Sequence, residues 1–352
     1  MVYTGSSDAG MARVHSNTDP TQLDINIEGN HNGAKDDPWT WKYFYGPRYL
    51  IDNTVKSIVP AVDGKGVFVM TSTGASYMRL DSITLDIKAK VMETMQYPRH
   101  DRHGIINPTS LKVYGDLSTY VLSCGDNDGL WTSMAVIGLA YRHMSEKHGN
   151  EAARASAWRG FEGLEGLSTI TGAYPRYTAR SFCKVSDGNN GCPDSIDPEC
   201  VDDCWYYAPD NEGWYYKGDT SSDELSGHFA AYAILYDQVA QTEEQKGRVL
   251  RLMEGLLEGI IENDLYFISP ETGKRTLWGF WNPKELNDMP EHYSERGTNS
   301  LEILAWCASA YSITGKDIYY NQFWELVKNH NYVANTLNVK IDSALDENHS
   351  DT

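Results

Sequence analysis

The chain has 352 residues and a formal net charge of −19 at neutral pH. Such acidity argues against binding to nucleic acids or anionic membranes, although a locally basic site could still take an anionic substrate. No apolar run of about 18 residues predicts a membrane span, and residues 1–14 lack the apolar core of a signal peptide. Tyrosine (23) and tryptophan (10) outnumber phenylalanine (8), which suits sugar-binding clefts and protein interfaces because these rings carry a polar group.

Residues 1–80 are predicted to form β structure. A strand at 56–62 is followed by a turn at 63–66, and further strands are predicted at 67–70 and 76–80. β-Branched and aromatic residues between glycine turns are typical of such strands. Residues 2–14 look like a weaker copy of the same unit, and repeats of this kind indicate propeller blades.

From about residue 82 the apolar spacing becomes helical, and this domain is predicted to cover 81–352. Seven helices are expected, at 83–95, 129–145, 151–167, 224–239, 243–262, 298–314 and 317–328. Short links join them in pairs, and longer polar segments separate the pairs. This pattern predicts a mainly α fold, an α/α toroid in which one layer of helices lines a cleft. The apolar stripes at 250–260 and 301–311 are expected to form its core.

The predicted toroid is incomplete. Three or four helix pairs are visible, fewer than a closed six-hairpin ring needs, and residues 346–352 look like a cap without its helix. We therefore expect a fragment, or a ring or propeller completed by a further chain or by self-association. Residues 348–350 also form a glycosylation sequon.

Four of the six cysteines lie close together in the segment 183–204: Cys183, Cys192, Cys200 and Cys204. Paired C-x2-C motifs are absent, so two disulfides are favoured over zinc or free thiols. Disulfides indicate an extracellular or secretory location. The acidic residues at 194–203 could hold calcium, and no other cofactor is expected. Cys124 and Cys307 are predicted to be buried thiols.

The segment 217–228 is the densest in chemical groups. Ser221, Ser222 and Asp223 are residue types that cap helices, and acids there suit the positive end of the helix dipole. One good residue is enough for a cap, whereas this segment adds further acids and an imidazole. The excess predicts catalytic roles for Asp223, Glu224 and His228, with Asp219 in substrate binding; the alternative is an over-provided cap.

A second helix start, at 124–131, has the same character. Asp126 and Asp128 precede the helix, and a single acid would suffice to cap it. Both are therefore candidate catalytic carboxylates. Trp131 is a candidate for stacking on a sugar ring.

Three further segments supply candidate substrate-binding groups. The segment 97–104 is locally basic, which fits a carboxylate or sulfate ligand, although a solvated linker would explain it equally well. The segments 174–182 and 278–300 combine aromatic rings with cations and amides. The candidates in these segments are Arg99, His103, Tyr174, Arg176, Arg180, Trp281, Glu295, Arg296 and Asn299.

Two family resemblances follow from these segments. Residues 45–80 resemble blades of the two-component-regulator type of β-propeller, in which a short strand precedes a D-G-x-G turn, here 63–66, and a closing strand begins T-x-x-G-A, here 71–75. The helical part resembles the toroid domains of carbohydrate-active enzymes, namely six-hairpin glycosidases and α/α-barrel polysaccharide lyases. This second resemblance rests on architecture and residue types, and no catalytic motif aligns residue by residue, so it carries over no residue roles.

Three functions fit. Hydrolysis of a glycan needs two carboxylates, here Asp126 or Asp128 with Asp223 or Glu224. β-Elimination from a uronic acid needs a group that neutralises the substrate carboxylate and a base; it would draw on Arg176, Arg180, His103, Tyr174, His228 and Asn299. A non-catalytic extracellular protein that binds a glycan or a partner would use the same loops. We expect a glycoside hydrolase, with a lyase as the runner-up.

Geometry separates these functions. Two carboxylates about 5 to 10 Å apart in an open cleft with tryptophan would favour hydrolysis. Arginine with tyrosine or histidine around an empty carboxylate-sized space would favour elimination. Acids engaged in helix caps would favour a structural role. Neither a Ser-His-Asp nucleophile elbow nor a phosphate-binding glycine loop is present in the sequence.

Overall fold

The computed structural model describes residues 2–7, 10–14, 42–46, 49–79, 81–113, 116–145, 150–188, 191–197, 199–200 and 204–338. The glycosylation sequon, the cap-like segment 346–352 and two aspartates of the cysteine segment, Asp202 and Asp203, lie outside these residues. The chain divides into two compact units, Met1–Met92 and Glu93–Thr352.

The first unit contains two antiparallel sheets of three strands each. One has the order β1 (Val2–Gly5), β2 (Met11–Val14), β3 (Lys42–Phe44), and the other has the order β4 (Val55–Pro60), β5 (Gly66–Thr71), β6 (Ala75–Arg79). The predicted antiparallel strands are therefore present. Each sheet has three strands, whereas a propeller blade has four, and no propeller closes within the described residues.

The alternation of β5 explains the core of this unit. Val67 and Val69 point inward, and Phe68 and Met70 remain exposed on the opposite face. The inward residues pack with Met11, Phe44 and Leu50.

The chain enters the second unit through α1 (Leu85–His100), none of whose residues is buried. The helix is longer than predicted, because its last turn includes Tyr97 and Arg99, which were expected in a loop. Basic residues in a last turn suit the negative end of the helix dipole.

The second unit is mainly helical. Its helices are α2 (Asp128–Ser145), α3 (Glu151–Thr169), α4 (Ser222–Ile234), α5 (Glu243–Glu262), α6 (Arg296–Thr314), α7 (Asp317–Asn329) and α8 (Tyr332–Asn335). Consecutive helices pack as three pairs, and α2, α4 and α6 lie side by side, with α3, α5 and α7 as their partners. The described helices do not form a closed ring.

Small antiparallel sheets, absent from the sequence prediction, occupy the connections between helix pairs. The strands are β7 (Asp101–Arg102), β8 (Ile105–Ile106), β9 (Thr109–Leu111), β10 (Tyr120–Leu122), β11 (Ser181–Lys184), β12 (Trp205–Tyr207), β13 (Trp214–Lys217), β14 (Tyr266–Ile268) and β15 (Arg275–Phe280). β13 lies between β11 and β12, and the other strands form two-stranded sheets. The strands β7–β10 precede α2, β11–β13 precede α4, and β14 and β15 precede α6. The sheets therefore fix the loops at the starts of these three helices.

The helical core follows the predicted stripes in part. In α5, Leu252, Met253, Leu256, Leu257 and Ile260 are buried as expected. In α6, Ile303, Leu304 and Trp306 are buried. Leu301 was also expected in the core, yet it is 56% exposed, and Tyr311 is exposed as well. Tyr311 nevertheless contacts a neighbouring helix, because its ring centroid lies 5.2 Å from that of Tyr320 in α7.

Two disulfides form, as predicted, and they join Cys183 to Cys192 and Cys200 to Cys204. Cys307 is a buried thiol, and Cys124 is half-buried beside Arg102. No three histidine, cysteine or acidic residues of the described ranges converge to hold a metal ion. Because part of the segment 194–203 lies outside those ranges, calcium there stays a prediction. No helix in the described part of the chain is long and apolar enough to cross a bilayer.

Candidate functional site

Two helix starts singled out in the sequence meet in space. Asn127 Nδ2 donates to Asp223 Oδ2 at 3.0 Å, which joins the start of α2 to the start of α4. Arg180 binds both segments, because its Nη1 donates to the carbonyl of Asp126 at 2.9 Å and its Nε to the carbonyl of Asp219 at 2.7 Å. We call Asp126, Asn127, Arg180, Lys217 and Asp223 the central cluster.

Asp126 is the exposed acid of this cluster. Its side chain is 61% exposed and forms an ion pair with Lys217, which ends β13. Partial burial alone would raise the pKa of Asp126, but the hydrogen bond and charge of Lys217, with Arg180 nearby, outweigh it and lower the pKa. Asp126 is therefore an ionised carboxylate at neutral pH.

Asp223 is the second accessible acid, in the first turn of α4 and half-buried. Besides the bond from Asn127, its Oδ1 accepts from the hydroxyl of Ser221. Ser221 occupies the N-cap position of α4 but makes no cap hydrogen bond. The capping residue types thus orient Asp223 instead of closing the helix end.

Asp128 is completely buried, although it is only two residues from Asp126. Its carboxylate accepts from Ser181 Oγ at 2.5 Å, Asn107 Nδ2 at 2.5 Å and the Gly125 N–H at 3.1 Å. The pKa of Asp128 is raised to about 7, and burial is the largest cause. The charge of Glu224 also acts to raise this pKa, whereas the hydrogen bond from Ser181 acts to lower it. Asp128 anchors the start of α2 and does not reach the surface.

Glu224 is buried in the same way. Its Oε2 accepts from the N–H of Leu130 at 2.9 Å, so this acid of α4 caps the first turn of α2. Burial raises the pKa of Glu224 well above its ordinary value. Gly129 makes the approach feasible, because a Cβ at that position would lie 2.0 Å from Glu224 Oε1.

His228 lies one turn further along α4 and is fully buried. Its Nε2 is 3.6 Å from Glu224 Oε1, and its Nδ1 is 2.8 Å from the hydroxyl of Tyr232. Burial lowers the pKa of His228 to about 3. At neutral pH this group is an uncharged imidazole inside the interface between α2 and α4, out of reach of a substrate.

Glu302 joins the site although the sequence did not single it out. Its carboxyl accepts from Ser226 Oγ at 2.7 Å and from Trp281 Nε1 at 2.8 Å, which links α6 to α4 and to the end of β15. Burial raises the pKa of Glu302 to about 7, and the charges of Asp223 and Glu295 contribute. The sequence signal that could have identified Glu302 is an acid within an otherwise apolar helix. Lys217 was also missed, and its signal is a single cation at the end of a strand of aromatic residues.

The start of the segment 278–300 is joined to the site through Asp219 and the preceding residue, Leu277. Asp219 Oδ1 accepts from the N–H of Leu277 at 2.7 Å, which places Trp278 beside the start of α4. Trp278 is 45% exposed and Trp131 is 38% exposed, whereas Trp281 is fully buried and presents no ring face. Asn299 is also buried and donates to the carbonyl of Phe280 at 2.9 Å.

The predicted binding groups outside the central cluster are held by separate partners. His103 Nε2 lies 2.5 Å from Asp187, Arg176 pairs with Glu262 at 3.0 Å, and Tyr174 lies 3.4 Å from Glu165. Arg296 donates to the carbonyls of Leu286 and Asn287 at the start of α6. His103, Tyr174, Arg176 and Arg296 therefore each have a different partner, and Arg99 lies in the last turn of α1.

No family model, curated protein or solved structure matches this chain. The central cluster presents two accessible carboxylates and two neighbouring cations. The exposed Trp131 lies in the first turn of α2, and the exposed Trp278 follows Leu277, which binds Asp219.

Proposed function

We propose that the protein is an extracellular glycoside hydrolase whose reacting carboxylates are Asp126 and Asp223. The observation that carries the proposal is the pair itself. Asp126 is exposed and Asp223 is half-buried, they lie on the starts of neighbouring helices, and Asn127 joins them. Glycoside hydrolysis uses one carboxylate as base or nucleophile and one carboxylic acid as proton donor.

The roles follow from the surroundings. Lys217 holds Asp126 ionised, so Asp126 is the base or nucleophile. Asp223 is then the proton donor to the glycosidic oxygen. Asp128 and Glu224 are positioning residues, because both carboxyls are buried against the backbone at the start of α2.

Binding of the glycan would use the exposed aromatic rings. Trp131 lies one helical turn after Asn127, and its backbone N–H donates to the Asn127 carbonyl at 3.0 Å. Trp278 lies beside Asp219. Flat rings with a polar atom suit the apolar faces and hydroxyl edges of sugars. The three helix pairs, which we propose form part of an α/α toroid, would place these loops at one mouth.

Two other functions are less well supported. A lyase needs a cation free to meet the substrate carboxylate, and His103, Arg176 and Arg180 are engaged by separate acids or by carbonyls. A non-catalytic glycan-binding or assembly protein is favoured by one observation, the use of Asp128 and Glu224 as helix anchors. The two disulfides support an oxidising, extracellular setting for all three.

Digestion of a panel of neutral and uronic-acid polysaccharides tests the proposal. New reducing ends without the ultraviolet absorbance of an unsaturated uronic acid are expected from a hydrolase. Reducing ends with that absorbance would make the protein a lyase. No cleavage of any glycan would favour the non-catalytic function.

A further inference from the structure

A polar cavity of about 750 Å³ lies where α5 and α7 end and α6 begins. None of the central cluster residues lines it. Asp264 follows α5, Arg296 begins α6, Asn331 follows α7, and the turn Lys284–Asp288 closes one side. The volume falls in the range of about 300 to 1,000 Å³ that is usual for small-molecule sites.

The wall of this cavity is built from amide hydrogen bonds. Asn335 Nδ2 donates to Asn287 Oδ1 at 2.8 Å, and Asn287 Nδ2 donates to the carbonyl of His330 at 2.9 Å. Asn282 Nδ2 donates to the carbonyl of Asp264 at 2.8 Å. These bonds tie four separate segments together, so the cavity is shaped before any ligand arrives.

Several charged and polar groups that line the cavity remain uncommitted. The side chains of Asp264, Lys284, Asp288 and Asn331 make no hydrogen bond or ion pair with another described residue. Arg296 uses its Nε and Nη2 on carbonyls of the turn, which leaves Nη1 for a ligand. Two acids and two cations therefore balance in charge within a strongly acidic protein.

This balance selects the chemistry of the ligand. A dianion would be repelled by Asp264 and Asp288, and a cation by Lys284 and Arg296. A hydroxyl group both donates and accepts, so a ligand with many hydroxyls can use the acids as acceptors and the cations and amide as donors. We propose that the cavity is a non-catalytic binding site for an uncharged sugar unit. Binding there does not depend on hydrolysis at Asp126.

Protection of Lys284 from acetylation tests this proposal at the site itself. The full chain is treated with an acetylating reagent at rising concentrations of neutral gluco-, manno- and xylo-tetrasaccharides, and each lysine is followed by peptide mass spectrometry. Acetylation of Lys284 is expected to fall to a plateau with at least one of the three sugars. Lys274, exposed in the β14–β15 turn, is the internal control and is expected to react unchanged.

Two variants assign the protection to the cavity. Asp288→Ala removes one acceptor at an exposed position and is expected to abolish it, whereas Asp126→Asn is expected to retain it. The proposal is overturned if no neutral sugar protects Lys284, if Lys274 is protected equally, or if Asp126→Asn abolishes the effect. A protein that cleaves no glycan can still pass this test, so its outcome is separable from that of the proposed hydrolysis.

Discussion

Asp126 and Asp128 show how two residues of separation change the chemistry of a carboxylate. Asp126 is exposed beside Lys217, and its pKa is lowered. Asp128 is buried under three hydrogen-bond donors, and its pKa is raised to about 7. Because α2 begins at Asp128, Asp126 lies before the helix and faces solvent, whereas Asp128 in the first turn is buried. Only Asp126 is placed to meet a substrate.

The ion pair of Asp126 predicts a shift in the pH dependence of activity. In Lys217→Met the carboxylate loses the hydrogen bond and charge that lower its pKa, so that pKa rises. The acidic limb of the kcat/KM profile should move to higher pH. Lys274→Met, in the exposed β14–β15 turn, serves as the control, and an unmoved limb in Lys217→Met would contradict the role of Asp126 as base.

Substitution of Glu302 is expected to increase the free energy of unfolding in a pH-dependent way. Its pKa is about 7 in the folded protein against an ordinary value of 4.5. Because the pKa is higher in the folded protein, the contribution of Glu302 to stability is full at low pH and is lost as the pH rises through the range between these two pKa values. Glutamine stays neutral at every pH. When the pH is raised from about 5 to 8, the free energy of unfolding of Glu302→Gln should therefore increase by about 2–3 kcal/mol relative to that of wild type.

Urea unfolding at the two pH values measures this difference. Glu291→Gln, an exposed glutamate in the turn before α6, corrects for the loss of one negative charge. The account of Glu302 fails if the difference between Glu302→Gln and wild type does not change with pH.

At the scale of elements, the approach of α2 to α4 depends on glycine. A Cβ on Gly129 would lie 2.0 Å from Glu224 Oε1 and 2.5 Å from His228 Nε2, and one on Gly227 would lie 2.8 Å from Leu130. Both glycines lie at the contact between the two helices that carry the candidate carboxylates. Side chains there would push the helix starts apart.

Two substitutions within α2 should have opposite effects. Gly129→Ala overpacks the interface and should lower the free energy of unfolding by about 1–3 kcal/mol. Gly138→Ala has no neighbour within 4 Å of the added carbon, and it should raise stability by about 1 kcal/mol through helix propensity. Thermal unfolding of both variants measures the contrast, and equal effects would show that Gly129 is not a contact point.

Helices were predictable from the sequence because their signal is local. α5 has the predicted bounds, Glu243–Glu262, and begins with the capping box of Thr242 and Gln245. The small sheets were not predicted, since their strands are two to six residues long and pair with distant partners. β11 pairs with β13 across about thirty residues, with Ser181 opposite Lys217, and no pattern within either strand reveals that pairing.

At the scale of the whole molecule, the site depends on contacts that a linear pattern does not contain. Glu224 and Leu130 are separated by 94 positions, yet their hydrogen bond decides that Glu224 is an anchor. The sequence singled out segments that are rich in chemical groups, and two of them meet through Asn127 and Asp223. Which acids of those segments are accessible followed only from how α2, α4 and α6 pack.

The central claim is that Asp126 and Asp223 perform glycoside hydrolysis, and parallel digestion by variants tests it most directly. Wild type, Asp126→Asn, Asp223→Asn and the control Asp210→Asn, an exposed acid in the β12–β13 turn, are incubated with the glycan that wild type cleaves best. The account predicts that release of reducing ends falls at least about 100-fold in the first two variants and is unchanged in the third. Equal rates in all four proteins, or no cleavage of any glycan by wild type, would contradict it.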